Sequence, residues 1–169
     1  YKRQGYIIGS NIDLSGANFL NTDISFVYVD GINFSNVNFT NTKSGRLLVR
    51  NTPTANMSSP LQPTVLPTTY RLIFSSVSGG YIIGPNVNLS DANFTDTDIS
   101  STFLAGVNLS NATLYNMRSG LLTVTPSSST PTLPPEYKYI VSTLSGGYII
   151  GPNQNLIGAN LTGSDLSFC

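Results

Sequence analysis

The side chains best suited to chemistry here are carboxylates. Seven of the eight acids, Asp13, Asp23, Asp30, Asp91, Asp96, Asp98 and Asp165, fall within the repeated segments described below. Two such groups at the right separation could work as acid and base on a glycosidic bond, and a cluster could gather oxygens around calcium. The rest of the inventory does not support them. There is no His, which removes the usual neutral-pH base, the common catalytic triad and imidazole metal ligands. The single cysteine, Cys169, cannot build a zinc or iron–sulfur site. The glycines of "SGGYIIG" suggest a phosphate loop, but no Gly-Lys-Ser/Thr follows and no helix begins there, so turn glycines explain them. Most of the acids sit at positions that face outward, where a solvated surface accounts for them. Neither catalysis, nor a metal, nor a cofactor is expected.

Asparagines supply a second candidate chemistry. Asn33, Asn38, Asn56, Asn88, Asn93, Asn108, Asn111 and Asn160 each begin an N-x-[ST] sequon. A repeated Asn-Leu-Ser unit writes that motif automatically, so the candidates narrow to Asn56, in a Pro-rich insertion, followed by Asn33 and Asn88.

Composition sets the limits around these residues. The chain has 169 residues, 40% of them hydrophobic, which is enough for one domain or a short repeat array. Only 9% are charged, so Asn, Ser and Thr must supply the wetted surface. Eight basic and eight acidic residues cancel, leaving no field to attract nucleic acid or an anionic membrane. No apolar run approaches the roughly 18 residues needed for a spanning helix. One cysteine cannot staple the fold, so backbone ladders and packing must hold it.

The element that positions all these residues is a repeat. "GYIIGSNIDLSGANFLNTDIS" from Gly5 returns from Gly79 as "GGYIIGPNVNLSDANFTDTDIS" and from Gly146 as "GGYIIGPNQNLIGANLTGSDLS". Within each copy runs a period of five: IDLSG, ANFLN, TDISF, VYVDG, INFSN and VNFTN from Ile12; VNLSD, ANFTD, TDISS, TFLAG, VNLSN and ATLYN from Val87; QNLIG, ANLTG and SDLSF from Gln154. Five is neither the 3.6 of a helix nor the 2 of a strand. The third residue of each five is large and apolar, the first small or β-branched, and the second usually Asn or Asp. This describes a chain that turns a corner every five residues with two positions facing inward.

These residues resemble the pentapeptide-repeat family, whose pattern is A-(D/N)-L-x-x. The resemblance implies an all-β fold, a right-handed quadrilateral β-helix with one pentapeptide per side and about twenty residues per coil. The "GYIIGP" lead-ins and the "LPxxY" motifs at Leu66–Tyr70 and Leu133–Tyr137 are similar to multi-module members associated with aquatic bacteria and large DNA viruses. A twenty-residue coil makes its own demands. Leu14, Phe19, Ile24, Phe34 and Phe39, then Leu89, Phe94, Ile99, Leu104, Leu109 and Leu114, then Leu156, Leu161 and Leu166, should stack inward at the ~4.8 Å spacing of paired strands. Asp23 should lie under Lys43 and Asp98 under Arg118 as two exposed ladder ion pairs.

Ser44 and Ser119 fall where the next inward apolar residue belongs. A buried hydroxyl is costly, so the coil is expected to open at "TKSGR" and "MRSG". Pro- and Ser/Thr-rich insertions follow, then "YRLIFSSVSGGYIIG" and "YKYIVSTLSGGYIIG", which fit β-hairpins packed on the side or end of the adjacent coil. The expected organisation is a first module over 1–46, insertion and hairpin over 47–79, a second module over 80–121, insertion and hairpin over 122–146, and the start of a third module over 147–169. The half-length third module and the opening Tyr1 suggest a processed or partial chain that continues past Cys169.

The function expected is a non-catalytic structural or assembly scaffold, a spacer within a particle, envelope or fibre that contacts other protein subunits or copies of itself. No nucleic acid, membrane insertion or small-molecule substrate is expected, and a virion or surface location is favoured over the cytoplasm. The alternatives are an intracellular pentapeptide regulator binding an enzyme such as a topoisomerase, which the zero net charge opposes, and a surface adhesin binding glycans, which the lack of aligned Thr rows opposes.

Overall fold

In the computed structural model the described residues are Gly5, 7–49, 64–124 and 129–167. The corners are set by backbone conformation. Every fifth residue has positive φ: Asn11, Gly16, Asn21, Phe26, Gly31, Asn36, Asn41 and Arg46 in the first module, and Asn86 through Leu121 at the same interval in the second. Asn153, Gly158 and Gly163 fall in the left-handed region in the third. A left-handed residue turns the chain, and Gly, Asn and Asp adopt that conformation at least cost, which is why they fill the fifth place of nearly every five. The second place reinforces the turn. The side-chain oxygens of Asp13, Asn18, Asp23, Asn33 and Asn38 accept the N–H two residues later at 2.8–3.1 Å, and Asn88, Asn93, Asp98 and Asn108 do the same in the second module. Each is an Asx turn.

Between corners the chain is extended just long enough for one parallel bridge per five. The bridges pair residues twenty apart, as in Asp13 with Asn33, Asn18 with Asn38, Asp23 with Lys43 and Tyr28 with Leu48, then Asn88 with Asn108, Asn93 with Thr113, Asp98 with Arg118 and Phe103 with Thr123. The architecture is β-helix-like, and the described residues contain strands and no helix.

The modules are joined by the ladder itself. Lys43 bridges Asn88 and Arg118 bridges Asn155, so one column runs Asp23, Lys43, Asn88, Asn108, Thr132 without interruption. The ends of the insertions also take part. Val65 bridges Asn33 and Thr132 bridges Asn108, each supplying a rung that the fives do not encode, and the Thr64 hydroxyl donates to the Val29 carbonyl.

Among the described residues two antiparallel hairpins accompany the coils. β1 (Arg71–Ser75) pairs with β2 (Gly79–Ile83), and β3 (Lys138–Ser142) with β4 (Gly146–Ile150). The second strand of each also exchanges both backbone hydrogen bonds with the preceding coil, Gly80 with Leu47 and Gly147 with Leu122, at 2.9–3.0 Å. Ile82, Ile83 and Ile149 are fully enclosed and plug the coil end.

This plug revises the reading of the serines. Ser44 and Ser119 are buried yet satisfied: each hydroxyl accepts the N–H of Ile82 or Ile149 at 3.0 Å and donates to the same residue's carbonyl at 3.3 Å. The coil does not open there but carries one more rung, to Leu48 and Thr123. A backbone segment inside the coil needs polar partners, and an inward serine provides them.

The core is the stack of third residues. Phe19 lies over Phe39 with ring centroids 6.0 Å apart and planes 10° from parallel, and Phe34 meets Phe39 edge-on at 5.4 Å. Leu14, Phe19, Ile24, Phe34, Phe39, Leu89, Phe94, Ile99, Leu104, Leu109 and Leu114 are all buried. Each such side chain contributes about 1.5–3 kcal/mol of apolar burial. Leu156 and Leu166 depart from the expectation, being exposed, and Leu161 is only half-buried. Among the described residues no coil lies over theirs.

Candidate functional site

The two serine–isoleucine plugs are part of a larger repeated joint. Tyr70 and Tyr137, the last residues of the "LPxxY" motifs, donate to the Pro85 and Pro152 carbonyls at 3.0 and 3.1 Å. Their rings lie against Gly84 and Gly151, where a Cβ would collide with them. Each lead-in glycine is thereby tied to the tyrosine of the preceding motif. Tyr81 reaches the next coil. Its hydroxyl accepts the Asn93 N–H at 3.1 Å and donates to Ser78 at 2.9 Å, while Ser78 donates to the Asn93 carbonyl at 2.7 Å. Tyr148, Ser145 and Asn160 repeat the arrangement. The lead-ins from Gly79 and Gly146 thus form the joints between one module and the next.

The outward rows carry little charge. Asp98 and Arg118 stand on one column, 3.7 Å apart and about half exposed. Asp23 also stands under Lys43 on one bridge, but the Lys43 ammonium makes its ion pair with Asp91 at 3.9 Å instead. A corner residue of the next coil comes closer to it than the residue below. Amide ladders fill the remaining rows: Asn38 donates to Asn18, Asn41 to Asn21, Asn108 to Asn88 and Asn116 to Asp96, each across twenty residues at 2.7–3.3 Å.

The carboxylates serve as acceptors within these turns. The Ser25 hydroxyl holds the Asp23 pKa below its ordinary value against the opposing effect of burial, helped by the Ser25 N–H and Lys43. Burial acts against the Asp98 carboxylate, but the Ser100 hydroxyl and N–H, Arg118 and Arg71 together outweigh it and lower its pKa. Asp13 and Asp165 are lowered mainly by Ser15 and Ser167. Among the described residues no three His, Cys, Asp or Glu side chains are grouped to hold a metal ion, and no helix is long and apolar enough to cross a membrane.

Of the sequon candidates, Asn33 and Asn88 are half-buried in the coil with their side-chain oxygens held by Ser35 and Ser90. Asn56 and Cys169 lie outside the described residues.

The family model for pentapeptide repeats matches residues 10–41 and 86–118, with eight copies. The two coils are pentapeptide repeats. No curated protein and no solved structure matches the chain. The pentapeptide pattern accounts for the inward third residue and the outward Asn or Asp. It does not announce the Asx turns, the corner conformations or the insertion rungs at Val65 and Thr132. The first two were signalled by the Asn, Asp and Gly that recur at the second and fifth places. The insertion rungs had no signal at the five-residue period.

Proposed function

We propose that the chain is a non-catalytic scaffold built on a right-handed, four-sided β-helix, which spaces and binds other protein subunits in a particle, envelope or fibre. The four-sided form is supported by a corner every five residues combined with bridges every twenty. The observation that carries the contact role is a pair of apolar side chains presented twice in the same place. Phe74 and Val77 are 51% and 57% exposed on the first hairpin, and their counterparts Val141 and Leu144 are 58% and 70% exposed on the second. Recurrent exposed apolar groups on a stiff, weakly charged body suit lateral protein contact, where desolvating Lys or Glu would be costly.

Cross-linking mass spectrometry on the protein in its native material tests this. The expected result is one protein neighbour in fixed ratio, linked near Lys138 on β3. Absence of any stoichiometric protein neighbour would contradict the scaffold. So would a turnover reaction lost when a coil aspartate is changed.

A further inference from the structure

Among the described residues the corners hold Gly, Asn or Asp at all but four places, which are Phe26, Arg46, Ser101 and Leu121. A bulky side chain in the left-handed region costs roughly 1–2 kcal/mol, at Leu121 as at Phe26 and Arg46, so the strain alone does not set the first pair apart. Phe26 and Arg46 sit one coil apart, with the guanidinium carbon 5.5 Å from the ring centroid. They line a cleft of about 330 Å³ together with Lys43, Tyr81, Ser90 and Asp91. Lys43 is already paired with Asp91 at 3.9 Å, while Arg46 has no carboxylate within 4.0 Å among the described residues.

The second module repeats this cleft with its frame intact and with Arg118 in the place of Lys43, but without the Phe26–Arg46 pair and Asp91. Ser100, Ser119, Gly120 and Tyr148 take the places of Ser25, Ser44, Gly45 and Tyr81. Leu121 replaces Arg46, Ser101 replaces Phe26, Ile157 replaces Ser90 and Gly158 replaces Asp91. That cleft is about 130 Å³. Only the first reaches the roughly 300 Å³ at which ligand pockets begin.

We propose that the first cleft binds a one-ring carboxylate of the uronic-acid sugar class. A guanidinium stacked on an aromatic ring keeps its N–H fork free for a planar, bidentate acceptor, which a carboxylate is. Lys43 is engaged by Asp91 and by Asp23, whose pKa it lowers, so Arg46 is the one cation left for an anionic ligand, which suits a monoanion better than a dianion. The exposed Phe26 ring beside the guanidinium offers a flat apolar surface, and Ser25, Ser90, Lys43 and Asp91 provide donors and acceptors for ring hydroxyls. The volume is enough to admit one sugar ring. The proposal does not depend on the scaffold reading.

The test is a ¹H–¹⁵N NMR titration of the whole chain with sodium glucuronate, beside glucose and inorganic phosphate. Glucuronate is expected to give saturable shifts at the amides of Phe26, Gly45 and Arg46 and none at Ser101, Gly120 and Leu121, while glucose gives none. Arg46→Leu, which installs the residue the second module carries at the same corner, should weaken binding by about tenfold or more, as losing a charged hydrogen bond does. Phe26→Ser, copying Ser101, should also weaken it. The proposal is overturned if glucuronate shifts nothing or shifts both clefts alike. It is equally overturned if Arg46→Leu leaves the affinity unchanged or phosphate binds as tightly as glucuronate.

Discussion

The Ser44 hydroxyl holds both polar groups of the Ile82 peptide backbone, accepting its N–H at 3.0 Å and donating to its carbonyl at 3.3 Å inside the coil. Ser119 does the same for Ile149. Ser44→Ala leaves a buried donor and acceptor unpaired and should lower stability by about 1–3 kcal/mol. The midpoint of urea unfolding measures it, and Ser119→Ala should match. A neutral effect in both would mean the plug is not held this way.

The inward stack makes a graded prediction. Leu104→Ala, in a fully buried site of the second module, should cost about 2–5 kcal/mol through lost burial and a cavity. Leu166→Ala, at an equivalent place in the repeat but 46% exposed, should stay within about 0.5 kcal/mol. Comparable losses at the two sites would show that the third coil is covered.

Corner strain can be relieved. Leu121 has φ 52° and an exposed side chain with no visible task, so Leu121→Asn or Leu121→Gly should raise stability by roughly 1 kcal/mol. Calorimetry on the variants decides it. A loss of stability would mean that Leu121 packs usefully where it is.

The aspartates set an acid limit. Asp13, Asp23, Asp98 and Asp165 have pKa values lowered from the ordinary 3.8 in the folded chain. A folded-state value below the unfolded one adds stability that is complete above the unfolded pKa and fades as pH falls through the folded pKa. Stability should therefore decline below about pH 4. Asp23→Asn with Asp98→Asn keeps the side-chain carbonyls for the turns and should flatten that decline. An unchanged acid profile in the double variant would place the sensitivity elsewhere.

The coil was legible because its signal is periodic. Leu, Phe or Ile at the third place and Asn or Asp at the second state the spacing of the rungs, and the column holding Asp98 and Arg118 follows from a twenty-residue coil alone. What interrupts the period was harder to read. Ser44 reads as the place where the coil opens because its partner, Ile82, lies thirty-eight residues away in a segment with a period of its own. Val65 and Thr132 complete rungs from within Pro-rich insertions, where no neighbouring five marks them. Lys43 turned from Asp23 to Asp91 because the continuity of the two modules, which brings Asp91 close, is a long-range fact. The Phe26–Arg46 cleft escaped for a related reason. Its members are ordinary residues at single corners, and only the comparison with Ser101 and Leu121 in the folded joint sets them apart.

The central claim is that successive modules form one ladder through the plugged joint, and native-state hydrogen exchange of individual amides tests it most directly. The N–H groups of Asn41 and Asn88 donate across the junction, to the Asn86 and Thr42 carbonyls at 2.6 and 2.9 Å. A continuous ladder predicts that they open with the same free energy as Phe94 and Leu109 inside the second module. Exchange of Asn41 and Asn88 at the rate of open loops, with Phe94 still protected, would contradict it and leave two separate coils.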